Sequence, residues 1–413
     1  MKQKLIQEVM FIFFIFVFSI VKSEEPKVKL IKIKEFSSYE EYERWKGKVK
    51  KPSRIIVDRG VIKFCDAKGR VIKEKRYRYM SEDDWKKVYE EYERSGEDIK
   101  SMQVYSEYAK VLPNDKGVLL IKTTTYYEGR KLSFEIIDEN GDTLSTIEAE
   151  GDIYLSPDGN YFVFLHKSGY DTTGVIDFYD RKGNILNRQQ VFDYKGMSDI
   201  IFSDDSQYVC ISHVGFKEHE TDFFKGGVVL FDNKGNILWK KIEKNWDVKV
   251  IPNGISPNNK IIVLYSYEHG GLIGFSMSGE LLWEEKKIPE IETFPDSLKY
   301  SSDGNLLFDL RINKKLSIVR ILNPYNGELI KNIEIPYKPN TRRIGFLQTD
   351  GKNILVKISI PPSSESQPQV IFLIDKESDA IWYKYKEKQL DARLENGQLI
   401  ISTEKGVIIY DIK

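Results

Sequence analysis

The chain has 413 residues, enough for two average domains or one large repeat fold, and 41% of them are apolar, ample for a buried core. Its 63 basic and 63 acidic residues cancel and are spread along the whole length. That excludes the basic patch which phosphate-backbone binding requires, so nucleic acid is not an expected partner.

Lys2 and Lys4 precede a 13-residue apolar run, residues 9–21, and the polar Glu24-Glu25-Pro26 follows. The run has the length of a signal-peptide core and is short for a bilayer span. Residues 1–23 are therefore read as a signal peptide, with an uncleaved membrane anchor as the alternative. The protein is expected outside the cytoplasm: periplasmic, extracellular or on the cell surface.

Residues 24–103 read as a small α/β extension. Ser38 with Glu41, and Ser81 with Asp84, are capping boxes that predict two helix starts. After the second, Trp85, Val88, Tyr89 and Tyr92 form an apolar stripe, read as packing on the body of the protein, with partner docking as the alternative. Between the helices, residues 54–57, 61–65 and 70–73 are a set of short strands around the turn Asp66-Ala-Lys-Gly69. Cys65 and Cys210, the only cysteines, each sit in an apolar strand-like run and are read as buried free thiols rather than a disulfide.

From about residue 104 to 413 the sequence repeats. One turn family runs Asn114-Asp-Lys-Gly117, Ser156-Pro-Asp-Gly159, Ser203-Asp-Asp-Ser206, Ser256-Pro-Asn-Asn259, Ser301-Ser-Asp-Gly304, Gln348-Thr-Asp-Gly351 and Leu394-Glu-Asn-Gly397, with a mean spacing of about 47 residues. A second interleaves with it: Asp138-Glu-Asn-Gly141, Asp180-Arg-Lys-Gly183, Asp232-Asn-Lys-Gly235, Ser276-Met-Ser-Gly279, Asn323-Pro-Tyr-Asn-Gly327 and Asp375-Lys-Glu-Ser378. An Asp at the first position bonds to the turn's own backbone, and a Gly at the last accepts the left-handed conformation, so each is a hairpin signal. The strands between are short and apolar on both faces, as in sheets covered on both sides. Four strands per repeat with no helix between predict an all-β fold, a seven-bladed β-propeller of four-stranded antiparallel blades. The last repeat reaches only its third strand, at residues 407–412. The strands at about 54–79 are expected to supply the missing one and close the ring.

The Ser-Pro-Asp-Gly turn before an apolar strand resembles bacterial WD-repeat-like propellers. The run Asp232-Asn-Lys-Gly-Asn-Ile-Leu-Trp239 resembles the quinoprotein-type (PQQ-like) repeat, in which a Trp four residues past the turn glycine docks between blades. Trp283 and Trp382 stand at the same offset, whereas Lys73, Ser145, Asn187 and Lys331 occupy it elsewhere. The resemblance covers about three quarters of the chain and implies fold, not activity. Quinone-dependent relatives carry a vicinal Cys pair that Cys65 and Cys210 cannot supply, so the cofactor is not carried over and none is expected.

Both turn families belong to one face of such a fold, and the longer, more varied loops to the other, where binding is expected. All four histidines fall there: His166, His213 and His269 at or near strand ends, and His219 with Glu220 in the longest loop, residues 213–227. A metal shared by these imidazoles is the minor reading, because no spacing among them is a ligand motif. Tyr126, Tyr127, Tyr170, Asp171, Phe216, Phe223, Phe224 and Arg311 complete the candidate surface, aromatics with dispersed charge that suit a protein or ligand contact. No nucleophile elbow, phosphate loop or dinucleotide fingerprint is present. The expected function is a non-catalytic binding or assembly module for another protein or an extracytoplasmic ligand. The alternative is a propeller hydrolase, lyase or quinoprotein-like oxidoreductase.

Overall fold

In the computed structural model of the chain, the described residues are 30–36, 42, 55–58, 60–95, 104–113, 116–126, 129–149, 151–166, 174–192, 196–215, 225–244, 246–266, 271–285, 297–312, 317–335, 344–350, 353–359, 369–375, 381–387, 391–395, 397–403 and 406–412. They are almost entirely β-strand. The helix α1 (Glu82–Ser95) starts at a capping box that the sequence predicts: the Ser81 N–H donates to Asp84 Oδ2 at 3.0 Å, and the Asp84 N–H to Ser81 Oγ at 3.2 Å. The predicted helix start at Ser38–Glu41, and the side chains of Trp85, Tyr89 and Tyr92, lie outside the described residues. No helix among the described residues is long and apolar enough to cross a membrane.

The chain divides into two compact units, residues 43–311 with 320–332, and residues 1–42 with 312–319 and 333–413. The larger begins with a three-stranded sheet, Ile55–Asp58, Val61–Cys65 and Val71–Arg76. A second sheet follows with four strands, Val104–Val111, Val118–Tyr126, Gly129–Ile137 and Thr143–Ala149. The third is Gly151–Leu155, Tyr161–His166, Val175–Asp180 and Ile185–Gln190. The fourth is Gly196–Phe202, Tyr208–Gly215, Lys225–Asp232 and Ile237–Lys244. The fifth is Val248–Ile255, Ile261–Ser266, Gly271–Ser276 and Leu281–Glu284. In the sixth, Ser297–Tyr300, Leu307–Ile312, Ser317–Leu322 and Leu329–Glu334, residues 312–319 and 333–334 count with the smaller unit.

The smaller unit holds the seventh sheet, Ile344–Thr349, Asn353–Ser359, Gln369–Asp375 and Ile381–Glu387. It also holds the eighth, Asp391–Glu395, Gln398–Thr403 and Gly406–Ile412, completed on its outer side by β1 (Leu30–Phe36). Strand order otherwise follows chain order in every sheet.

Those turns have the chemistry the sequence predicts. Asp66 Oδ1 accepts the N–H groups of Lys68 and Arg70, both at 2.9 Å, and Asp138, Asp180 and Asp232 repeat the pattern. The closing glycines Gly69, Gly141, Gly183 and Gly235 have φ between +79° and +87°. In the other family, Ser206 (φ +62°) and Asn259 (φ +51°) take the glycine's place.

Within the larger unit, successive sheets share their cores. Val163, Ile176 and Phe178 of the third pack with Ile211, Val229 and Phe231 of the fourth. Val228 and Leu230 of the fourth pack with Ile262, Leu264 and Phe275 of the fifth. The middle strands are therefore buried on both faces, which is why they read as largely apolar runs.

One sequence expectation is corrected. The strand that completes the last sheet is Leu30–Phe36, not one from the segment at about 54–79. That segment carries its own Asp66–Gly69 hairpin, and local pairing holds its strands in a separate sheet. Among the described residues there are thus seven four-stranded sheets and one of three strands.

Candidate functional site

The turn end of the larger unit is laced by side chains that reach from one sheet to the next. Lys116 Nζ donates to Asn160 Oδ1 (2.6 Å), the Asp158 N–H to Ser206 Oγ (3.0 Å), Asn259 Nδ2 to Asp205 Oδ2 (2.5 Å), and Asn258 Nδ2 to the Asp303 carbonyl (3.0 Å) and the Tyr325 hydroxyl (3.1 Å). Serine, asparagine and backbone donors hold Asp303 down to about 2, and Asp158 and Asp205 lie below the usual carboxylate range although partial burial opposes it. These groups are spent on their turns. The opposite end of the strands, where the sequence predicts the longer loops, is the candidate site.

Three groups of ionisable residues stand at the roots of those loops. His166 ends the strand before loop 167–173, and its Nε2 lies 2.7 Å from Asp177 Oδ2 on the strand that returns from that loop. Arg188, directly opposite Asp177 on the next strand, donates Nε to Oδ1 and Nη2 to Oδ2, both at 2.6 Å. Asp177 is fully buried. Burial pushes its pKa up, but the bonds from Arg188 and His166 outweigh it and hold the carboxyl below its ordinary value. Burial and the same carboxylate push the Tyr179 phenol, 3.3 Å away, up to about 12. Phe164 meets the His166 ring edge-on and fixes its plane.

His213 is buried two residues before the end of its strand. Its Nδ1 lies 2.6 Å from Ser198 Oγ, and its ring stacks on Phe192, with centroids 4.4 Å apart. His166 and His213 therefore belong to separate groups.

Arg311 is 1% exposed and Arg320 4%, so both guanidinium groups are enclosed. Arg311 Nε donates to Asp309 Oδ2 (2.7 Å), which also accepts from Arg320 Nη1 (3.1 Å). Arg320 Nη2 pairs with Glu285 Oε1, and Arg311 Nη2 lies 3.5 Å from Glu285 Oε2. Burial alone lowers a guanidinium's pKa, but the two carboxylates reverse that and raise Arg311's. Two cations and two anions close on one another, with Glu285 just past strand Leu281–Glu284 and Asp309 and Arg311 near the end of Leu307–Ile312.

Tyr126 ends its strand opposite Gly129. Its side chain, and all of Tyr127, Tyr170, Asp171, Phe216, His219, Glu220, Phe223, Phe224 and His269, lie outside the described residues. Among the described residues no three His, Cys, Asp or Glu side chains stand where they could hold a metal ion together.

The partners Asp177, Arg188, Asp309, Arg320 and Glu285 were not singled out from sequence. Their signal was present: Asp177 interrupts the run Val175-Ile-Asp-Phe-Tyr179, and Asp309 with Arg311 interrupts Leu307-Phe-Asp-Leu-Arg-Ile312. A charge inside a strand apolar on both faces must be paired to be there. Glu135, between Phe134 and Ile136, obeys the same rule with Lys75, Lys122 (3.1 Å) and Thr143 (2.6 Å).

No protein-family model matches the chain, and no curated protein matches it. Solved structures similar to it include the dihydro-heme d1 dehydrogenase NirN (13% identity over 84% of this chain and 68% of that one, TM-score 0.46). The Dos1 propeller (11%, 73% and 70%, TM-score 0.45) and the Pyrococcus horikoshii acylaminoacyl peptidase (15%, 74% and 50%, TM-score 0.41) are others. The chain spans half the length of that peptidase. With TM-scores below 0.5, these likenesses carry no functional argument, and the architecture rests on the chain's own sheets.

Proposed function

We propose that the chain is an exported β-propeller whose sheets are its blades, and that it works as a binding module through its long-loop end for another protein or an extracytoplasmic ligand. The observation that carries this reading is the commitment of the ionisable residues at the loop roots. His166 is tied to Asp177, and Arg311 to Asp309 and Glu285, so these residues act as footings that fix where each loop leaves the sheet. Loops set on rigid footings are the usual place for recognition. Aromatics such as Tyr127, Tyr170, Phe216 and Phe223 are the contact residues of this reading, and no metal or cofactor is part of it.

The test places a photo-crosslinking phenylalanine analogue at Tyr170, in a loop, or at Leu186, on an outer strand, in the chain from residue 24 onward. The proteins are then irradiated in the source's extracytoplasmic fraction. A discrete adduct at 170 and none at 186 is the expected result; equal labelling at both, or none at 170, overturns the reading.

A second reading rests on one geometry. An imidazole oriented by a buried carboxylate, as His166 is by Asp177, is the arrangement of a general base. If the protein is a hydrolase or lyase, His166→Ala abolishes turnover and leaves the melting temperature within a few degrees.

A further inference from the structure

The eighth sheet joins two distant stretches of chain. β1 runs antiparallel to Gly406–Ile412, with Leu30 opposite Ile412 and Phe36 opposite Val407. It occupies the outermost position, so among the described residues it has one neighbouring strand where an inner strand has two. The pairing is interrupted, with an irregularity between Lys32 and Lys34. Three of its seven residues, Lys32, Lys34 and Glu35, are charged. Its described apolar anchor is Phe36, 2% exposed, which packs with Tyr42, Ile400, Val407 and Ile409. Arg393 reinforces the anchor by donating Nη2 to the Tyr42 hydroxyl and lying over its ring.

The other three strands form a continuous meander whose own pairing does not depend on β1. A strand paired on one side opens at lower free energy than the inner strands of the sheet it borders. The position it leaves is a row of backbone donors and acceptors, with a pocket for Phe36, that an extended segment of the same sequence refills. That edge already matches the register of β1, with its irregularity between Lys32 and Lys34, and its Phe36 anchor, so the partner that fits is another β1.

We propose that β1 is an exchangeable clasp, and that the outer edge of Gly406–Ile412 accepts β1 from a second copy of this chain. Exchange of an identical element costs little, because the contacts made between copies are those broken within one.

The test uses full-length chains with one added cysteine each. Glu35→Cys in one copy and Ile408→Cys in the other place the thiols on residues that pair across the ladder. Cys65 and Cys210 are free and buried, and serve as the common background. The two chains are mixed and oxidised, then separated without reductant. A covalent heterodimer at least five-fold above that from Glu35→Cys mixed with Leu329→Cys, an exposed site in another sheet, is the expected result. Equal yields overturn the proposal. Hydrogen exchange of the native full-length chain is the independent arm. Residues 406–412 exchange at least ten-fold faster than 161–165 if β1 opens by itself. Equal protection of both segments shows that β1 leaves only on global unfolding, and the clasp is then not exchangeable.

Discussion

Trp239 Nε1 donates to the carbonyl of Met277 at 3.0 Å, which places the indole of one sheet under the closing turn of the next. Gly279 ends that turn, and a Cβ built on it would lie 2.8 Å from the indole. The relationship repeats down the larger unit: Trp283 lies under Gly327 and donates to the Pro324 carbonyl (2.6 Å), Asn187 under Gly235, Ser145 under Gly183 and Lys73 under Gly141. In each case the residue four past one turn glycine meets the glycine of the following turn. Trp239→Ala is expected to cost about 2–3 kcal/mol, since it removes a half-buried ring and a hydrogen bond. Ser145→Ala, at the equivalent position, should cost under about 1 kcal/mol. Gly279→Ala adds a clash with the indole to the strain of φ +87°. Its cost should fall to that of the strain, about 1 kcal/mol, in the Trp239→Ala background. Urea midpoints of the four variants check this, and additive costs would refute the docking.

The turn positions and the offset of the docking residue were legible in sequence, because each depends on residues within five of one another. Asp66 and Gly69 make their hairpin whatever surrounds them. The identity of the strand that completes the eighth sheet was not legible. Leu30-Ile-Lys-Ile-Lys-Glu-Phe36 alternates as an edge strand does, but nothing local ties it to residues 406–412. The pairing of His166 with Asp177 was hidden for a different reason. The two are eleven residues apart across a loop of varied length, and only the hairpin register brings them to 2.7 Å. What sequence did contain was the anomaly of an aspartate in an apolar strand, which says that a partner exists without saying which.

Glycines that lack left-handed backbone can be as fixed as those that have it. A Cβ on Gly226 would stand 1.3 Å from the backbone carbonyl oxygen of Trp246. Gly397 has φ +73° but nothing within 4 Å of its Cβ position. Gly397→Ala should therefore cost about 1 kcal/mol, the price of a left-handed alanine. Gly226→Ala forces two backbones apart and should cost more than about 3 kcal/mol. Thermal melts of the two variants order them, and a milder Gly226→Ala would contradict the packing of residues 225–232 against Trp246.

Acid should destabilise the fold through its buried, paired carboxylates. Burial alone would raise the Glu135 pKa, but hydrogen bonds from Lys75, Thr143 and Lys122 outweigh it and lower it from 4.5 to about 2. A carboxylate whose folded pKa lies below its unfolded one contributes stability above the unfolded value and loses it as pH falls through the folded value. The window for Glu135 is therefore pH 4.5 down to about 2, and its contribution is on the order of 3 kcal/mol. Glu135→Gln should be less stable than the parent at pH 7 and should lose less between pH 5 and 3. Melting temperatures across that range test the sign; parallel curves would show that Glu135 is not the group that titrates.

The network around Arg311 separates two ideas of what a buried ion pair does. Arg311 and Asp309 are 1% and 0% exposed, so neither charge has water to fall back on. Arg311→Met leaves Asp309 with Arg320 Nη1 alone at 3.1 Å and should cost about 3–5 kcal/mol. Asp309→Leu with Arg311→Met removes one charge of each sign and leaves Arg320 with Glu285, a pair already in contact. That double variant should be more stable than Arg311→Met by about 1–3 kcal/mol, because a matched apolar replacement avoids the desolvation that an unmatched charge suffers. Denaturant titration of the parent, the single and the double variant decides it. If the network is a footing for loops 286–296 and 313–316, the double variant recovers stability but not the crosslink formed from a probe placed in either loop. Recovery of both would show that these four residues only fill the core.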